Sequence, residues 1–329
     1  MKAIGISRYG DASVLQYWEV PVPQPGPGEA LVKVHYAGVN FMDVHTRQGK
    51  YATSSTYPVR LPVTLGMEGA GEVVDCGLGV SDVAVGDRVA WCLSWGSYAE
   101  YALVPVTRLA LVPDDLGLDV AAASIFQGCT AHYLVHDVAK LRAGMTCLVH
   151  AASGAIGQLL IQMAKREGVR VLATTSSEAK ANVARSRGAE AVFTYDHFAD
   201  DVLAATDGCG ADVTFDSRGA PTLRGSFCAT RTRGLVVSYG SVAGSVGDLD
   251  PIELGESGSL FLTRPRLADY IAGREELQRR ADVVFAGLLA GSWEVSLSGE
   301  FTLETVARGL SDLESRRQIG KAVVKIIEG

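Results

Sequence analysis

Residues 145–175, reading "MTCLVHAASGAIGQLLIQMAKREGVRVLATT", constrain this chain more than any other stretch. An apolar run ends in a small-residue turn. A helical pattern follows, with Ile156, Leu159, Leu160 and Met163 on one face and Gly168 as a stop, and then a second apolar run. That order predicts a βαβ unit with two buried strands. In Ala152-Ser153-Gly154-Ala155-Ile156-Gly157, Gly154 would let backbone approach a pyrophosphate and Gly157 would let the helix pack on the sheet. Free N–H groups at that helix start would face the phosphates. Ala152 stands where the usual fingerprint has its first glycine, so a tight turn without ligand stays open as the alternative.

The alternation continues beyond the unit. A helix near 178–187 and the runs "AVFTY", "DVTFDS", "GLVVSYG" and "SLFLT" give the strand and helix order of a doubly wound parallel sheet over 124–264. Residues 1–123 read differently. "EALVKVHYAGV", "GAGEVVDCG" and "GDRVAW" are short strands, and "PVPQPGPG" cannot pair inside a sheet. Residues 265–329 carry a long helical stretch, "ADYIAGREELQRRADVVFAGLLAG", and a last strand, "KAVVKII", that can rejoin the β-rich domain. A second glycine cluster, "LGMEGAGEVV" at 65–74, precedes a strand and has no helix behind it. Its glycines therefore serve turns and close packing.

The end of the second parallel strand bears on cofactor choice. An NAD site wants an acid about 20 residues past the loop. This chain has Thr174-Thr175-Ser176-Ser177 and then Lys180, which suit a 2′-phosphate. Glu178 is the counter-argument, and a solvated helix face is the plain alternative for Lys180. With 30 basic residues spread along a chain of net charge −7, no basic stripe offers itself to a nucleic acid. Six cysteines without C-x-x-C or finger spacing read as reduced core thiols. "MKAIGISRYGDASVL" lacks an apolar signal core, so the expectation is a soluble, cytoplasmic protein.

"AGVNFMDVHTRQGKY", "GMEGAGEVV", "VGDRVAW", "GSYAEY", "FQGCTAHYLV", "HAASGAIGQLLIQMAK", "VVSYGSVAG" and "SLFLTRPRLADYI" occur in one order over nearly the full length. In this the chain resembles the zinc-free, zeta-crystallin-like quinone oxidoreductases of the medium-chain dehydrogenase/reductase superfamily, the bacterial ones in particular. The resemblance implies a GroES-like catalytic domain (1–123 and 265–329) beside a Rossmann cofactor domain (124–264). Zinc-dependent members carry a cysteine where this chain has Asn40 and a histidine where it has Met67. Both replacements are poor zinc ligands, so no metal is expected. His132 and His136 share a helix face at i, i+4 but lack the glutamate of a zinc motif, and a structural role is preferred. His45 lies near a position where bacterial relatives carry a tyrosine, and its role is open.

The resemblance also supplies site residues. Asn40, Tyr51 and Thr130 would lie near the nicotinamide and the acceptor, with Asn40 and Tyr51 as candidate donors to the acceptor oxygen and a stacking role as the alternative for Tyr51. Ser153, Gly154, Ala155, Ile156 and Gly157 would hold the pyrophosphate, and Lys180, Tyr195 and Arg316 the 2′-phosphate. Tyr239, Gly240, Ser241 and Arg264 would complete the cofactor site. The segment "YATSSTYPVRLPVTLG" is longer than in typical relatives and would sit near the pocket mouth with Trp91 and Trp95. The expected activity is an NADPH-dependent reductase of quinones or related α,β-unsaturated carbonyls, because such acceptors need only hydrogen-bond donors for the developing oxyanion. An enoyl-thioester reductase and a non-catalytic NADPH-binding protein are the alternatives. By the same resemblance the protein would be a homodimer joined through its cofactor domains.

Overall fold

The structure, a computed structural model, describes residues 1–326. It divides into two compact units, Met1–Cys129 with Tyr270–Gly329, and Thr130–Asp269. The first division falls within the helix Leu118–Tyr133, a few residues past the expected boundary.

In the second unit six strands form one parallel sheet. Their spatial order is Ala191–Phe193, Arg170–Thr174, Thr146–Val149, Ala211–Asp216, Thr230–Ser238, Phe261–Thr263. Chain order therefore starts in the middle and reverses direction there, the doubly wound arrangement. Each central strand is apolar on both faces, as a sheet covered by helices on both sides requires. Leu148 and Leu172 pack with Phe198, Val202 and Ala229. The helix Ala155–Arg166 buries Leu159, Leu160, Ile161 and Met163, and its chain reverses through Gly168 at φ +72°. The next helix, Glu178–Arg187, starts under a Ser177 cap and ends at Gly188 in the left-handed region.

The first unit is β-rich. Its seven-stranded sheet runs Leu297–Phe301, Lys321–Lys325, Glu29–Gly38, Glu68–Cys76, Arg88–Cys92, Leu109–Leu111, with Tyr101–Pro105 also pairing Glu29–Gly38. Alternation in Glu29–Gly38 turns Ala30, Val32 and Val34 into a core with Val73, Val89, Trp91 and Leu109. The glycines of 65–74 do the packing work expected of them. A Cβ on Gly71 would fall on the Lys33 carbonyl oxygen, and one on Gly69 would meet the Trp91 ring.

Three expectations need correction. The long helix of 268–291 is two helices, Leu267–Tyr270 and Arg274–Leu289, because Gly273 is extended and caps the second. Trp91 is fully buried in the sheet core and lines no pocket mouth. Of the six free cysteines only Cys92, Cys129 and Cys147 are buried, while Cys209 and Cys228 are exposed. The last expected strand spans Lys321–Lys325, and Ile327 lies outside the described residues.

Candidate active site

In the first unit the strand ends gather a buried polar array. Lys321, from the C-terminal strand, is 2% exposed and puts Nζ 2.6 Å from Glu68 Oε2 and 2.7 Å from Asn40 Oδ1. Glu68 Oε1 accepts from the Phe126 backbone N–H at 2.8 Å. The Gln127 amide, oriented to suit its neighbours, donates to Glu68 Oε1 at 3.0 Å and accepts from Lys321 Nζ at 2.6 Å. Burial pulls the Lys321 ammonium below its ordinary pKa, and the Glu68 charge opposes that pull. Every member of the array finds partners, the condition under which a buried ion pair is tolerated.

Asn40 is 5% exposed and caps the helix Phe41–Arg47. Its backbone N–H donates to Asp43 Oδ2 at 2.9 Å, an oxygen that also accepts from the Tyr98 hydroxyl at 2.8 Å. Burial pushes Asp43 up to about 7, despite those two bonds. The Asn40 side chain donates to Gly38 O at 3.2 Å and to Glu68 Oε2 at 2.9 Å. Both amide hydrogens are thereby taken within the chain, and none is left for an acceptor oxygen. Met67, beside Glu68, is fully buried. Tyr51 follows the same helix, its hydroxyl 3.5 Å from His45 Nδ1 and its ring edge-on to Tyr57. Burial, then the charge of Lys50, lowers His45 to about 4, so it is a neutral partner for that hydroxyl near pH 7. Arg316 belongs to this unit and sits at φ +55° just past the helix Val306–Glu314.

In the second unit the predicted cofactor residues follow the carboxyl ends of parallel strands, the edge where open α/β sheets bind ligands. After Val149, Ala151 takes φ +51°, and Gly154 caps the helix Ala155–Arg166 in extended geometry. Within the unit no acceptor takes the N–H of Ala155, Ile156 or Gly157. The Ser153 carbonyl accepts from Gln158 Nε2 at 2.8 Å, which holds the turn. Gly157 is jammed on the loop, since a Cβ there would meet Ala152 Cα at 2.8 Å. At Gly154 a Cβ would press on Ala151 O alone, at 3.2 Å, a closer contact than side chains usually make but far looser than that at Gly157.

Past Thr174, Lys180 reaches Ser176 Oγ at 3.4 Å. The Tyr195 hydroxyl accepts from the Ala151 backbone N–H at 3.1 Å and donates to Thr174 O at 3.4 Å. Tyr239 and Gly240 close on the Asp216 carbonyl, Ser241 starts the turn to Gly244, and Arg264 donates to Ser238 O at 2.8 Å. Thr130 lies buried in the helix Leu118–Tyr133. The rings of His132 and His136 lie 4.6 Å apart where that helix widens into a π-turn, and no three-residue metal cluster exists among the described residues. Beneath the loop, buried His150 bridges Thr174 Oγ1 at 2.7 Å and Ser226 Oγ at 3.0 Å, and Ser226 donates to Asp216.

With this geometry in hand the chain can be compared with known proteins. Residues 26–114 match the alcohol dehydrogenase GroES-like domain, and residues 155–285 the zinc-binding dehydrogenase domain. A quinone oxidoreductase of Pseudomonas aeruginosa is 37% identical over 98% of this chain and 99% of its own length. The chain belongs to the quinone oxidoreductase branch of the medium-chain dehydrogenase/reductase superfamily. A 2-haloacrylate reductase of Burkholderia is 35% identical over 97% of each protein. The solved quinone oxidoreductase of Escherichia coli, complexed with NADPH, is 31% identical with a TM-score of 0.94, over 99% of this chain and 100% of that one.

One matching domain is described as zinc-binding, so the donor set is the test. Asn40 offers an amide already in use, Met67 a buried thioether, and Glu68 a carboxylate held by an ammonium. These residues do not fit zinc, which takes thiolate, imidazole or free carboxylate. The sequence points to Asn40, whereas Lys321, Gln127 and Asp43 carry no local signal there. Lys321 stands 253 positions from Glu68, and only the sheet brings them together.

Proposed function

We propose that this protein is an NADPH-dependent, metal-independent reductase that passes hydride to quinones or related α,β-unsaturated carbonyls. The observation that carries the reading is the Lys321 ammonium held 2.6 Å from Glu68 and 2.7 Å from Asn40, where a metal would need free ligands. A site without a Lewis acid favours acceptors that are already electrophilic. The relatives named for quinones and for 2-haloacrylate share that property, a polarised double bond conjugated to a carbonyl.

Reduced nicotinamide, when bound, supplies the hydride. The open N–H groups of Ala155, Ile156 and Gly157 suit its pyrophosphate, and the hydroxyls of 174–177 with Lys180 suit a 2′-phosphate better than the bare ribose of NADH. Tyr51 would hold the proton for the acceptor oxygen, with neutral His45 fixing its hydroxyl. Asn40 would act by position, as its amide hydrogens are engaged. Thr130, Tyr195, Tyr239, Gly240, Ser241, Arg264 and Arg316 complete the proposed set. No described helix is long and apolar enough to cross a membrane, and a cytoplasmic homodimer is the proposed setting. The edge strand Phe261–Thr263, with Phe261 65% exposed, suits pairing between two cofactor units.

The deciding experiment is NADPH loss followed by ultraviolet absorbance with an ortho-quinone, with and without a chelator, and with NADH alongside. Turnover that prefers NADPH and ignores the chelator is expected. Turnover lost on chelation overturns metal independence, and silence with quinones but activity on an enoyl thioester moves the acceptor to that class. A monomeric mass by light scattering would remove the dimer.

A further inference from the structure

Arg218 follows the strand Ala211–Asp216, and its guanidinium lies over the Tyr195 ring, 3.5 Å from the centroid. The two residues come from strands that are not neighbours. In the sheet order, Arg170–Thr174 and Thr146–Val149 stand between them. The Tyr195 ring crosses the end of the first of these, where its hydroxyl meets Thr174 O, and reaches the glycine loop of the second at Ala151 N. The stack therefore spans the carboxyl ends of the two central strands.

The cation in that stack is uncommitted. Asp216, two residues before it, is fully engaged: Oδ1 accepts from Arg218 N, Gly219 N and Thr222 Oγ1, and Oδ2 from Ser226 Oγ. Among the described residues no carboxylate or carbonyl accepts from the Arg218 guanidinium, which is held by its face alone. A face-held guanidinium keeps its fork of N–H donors at the edge, the geometry that phosphate oxygens match. Nothing acidic stands at the end of the neighbouring strand, where Thr174 to Ser177 supply hydroxyls.

We propose that Arg218 is a specificity-determining residue that binds the phosphate on the adenosine ribose of the cofactor, with Tyr195 as the platform that aims it. The proposal rests on the NADPH reading above and deepens it. It is separate from Lys180, which comes from a different loop.

The test is calorimetric binding of 2′,5′-ADP and of 5′-AMP to the full-length protein and to R218A, R218M and R218K. For R218A and R218M the affinity for 2′,5′-ADP should fall about tenfold or more, a lost charge-assisted pair, while that for 5′-AMP moves less than about twofold. R218K, which keeps the charge but loses the stack and the fork, should recover only part of the affinity, and the difference between the two nucleotides should shrink at high salt. Equal losses for both nucleotides would make Arg218 a packing or adenine-stacking residue and overturn the proposal, as would unchanged binding. If wild type already binds the two nucleotides equally, the NADPH reading falls and this one with it. If wild type discriminates and R218A does so equally well, only Arg218 is wrong.

Discussion

The array around Lys321 and the loop around Gly154 both concentrate polar groups at strand ends, yet they are built in opposite ways. In the first, side chains from positions 40, 68, 127 and 321 turn inward and take up one another's bonds. In the second, backbone N–H groups of Ala155 to Gly157 and the Arg218 fork have no acceptor within their unit. A closed network fixes positions, because any member removed leaves its partner buried and unsatisfied. An open one suits a ligand, because its donors have something to gain. The difference teaches where to look for binding: at unfilled donors, rather than at the densest cluster of charge.

The largest effect should come from opening the closed array. Lys321→Ala leaves buried Glu68 without its cation, and should cost about 3–5 kcal/mol of stability in urea unfolding. The double change Lys321→Met with Glu68→Gln should recover a large part of that loss. A cost below about 1 kcal/mol for Lys321→Ala would mean that the array is not closed.

The two loop glycines provide the next contrast. Gly157→Ala drives a methyl into the Ala152 backbone and should destabilise by about 1–3 kcal/mol. Gly154→Ala presses only on Ala151 O, at 3.2 Å, so its cost should stay at or below about 1 kcal/mol, less than that of Gly157→Ala. NADPH affinity should nevertheless fall about tenfold, since the methyl fills the space at the helix start. Cofactor binding unchanged in Gly154→Ala would remove the loop from the site.

Acid separates a charged network from a neutral one. Burial lowers His150 to about 4, below its ordinary 6.5, although Asp216 opposes the shift. The unfolded chain therefore binds a proton that the folded one refuses between about pH 6.5 and 4, and the histidine's contribution to stability is lost as pH falls through that window. Unfolding free energy should drop there by about 1.4 kcal/mol per pH unit for this proton. His45, also lowered to about 4 by burial, adds in the same direction. A His150→Gln variant whose stability keeps the wild-type slope would rule this out.

The smallest effect expected is a gain. Ala151 holds φ +51°, a left-handed angle that costs a residue with a Cβ. Ala151→Gly should raise stability by up to about 1 kcal/mol, read as a higher melting temperature.

Much of this was legible in the order of residues. Apolar period and glycine stops placed the strands and helices of the cofactor unit, because those signals are local and repeat along the chain. The helix expected near 178–187 spans Glu178–Arg187. The glycine loop was legible for the same reason, since strand, turn and helix follow one another directly. Local signals also misled: the helical run of 268–291 hid the break before Gly273, which one glycine in an otherwise good helix pattern does not announce.

What the sequence by itself determined is the doubly wound sheet, the loop that opens it, and the absence of zinc-type ligands at Asn40 and Met67. Only the tertiary structure decided what fills that place instead. A lysine from the last strand closes on a glutamate 253 residues earlier, and Arg218 meets Tyr195 across two intervening strands. Neither pairing has a local signature, because sheet order, and not chain distance, sets which strand ends become neighbours.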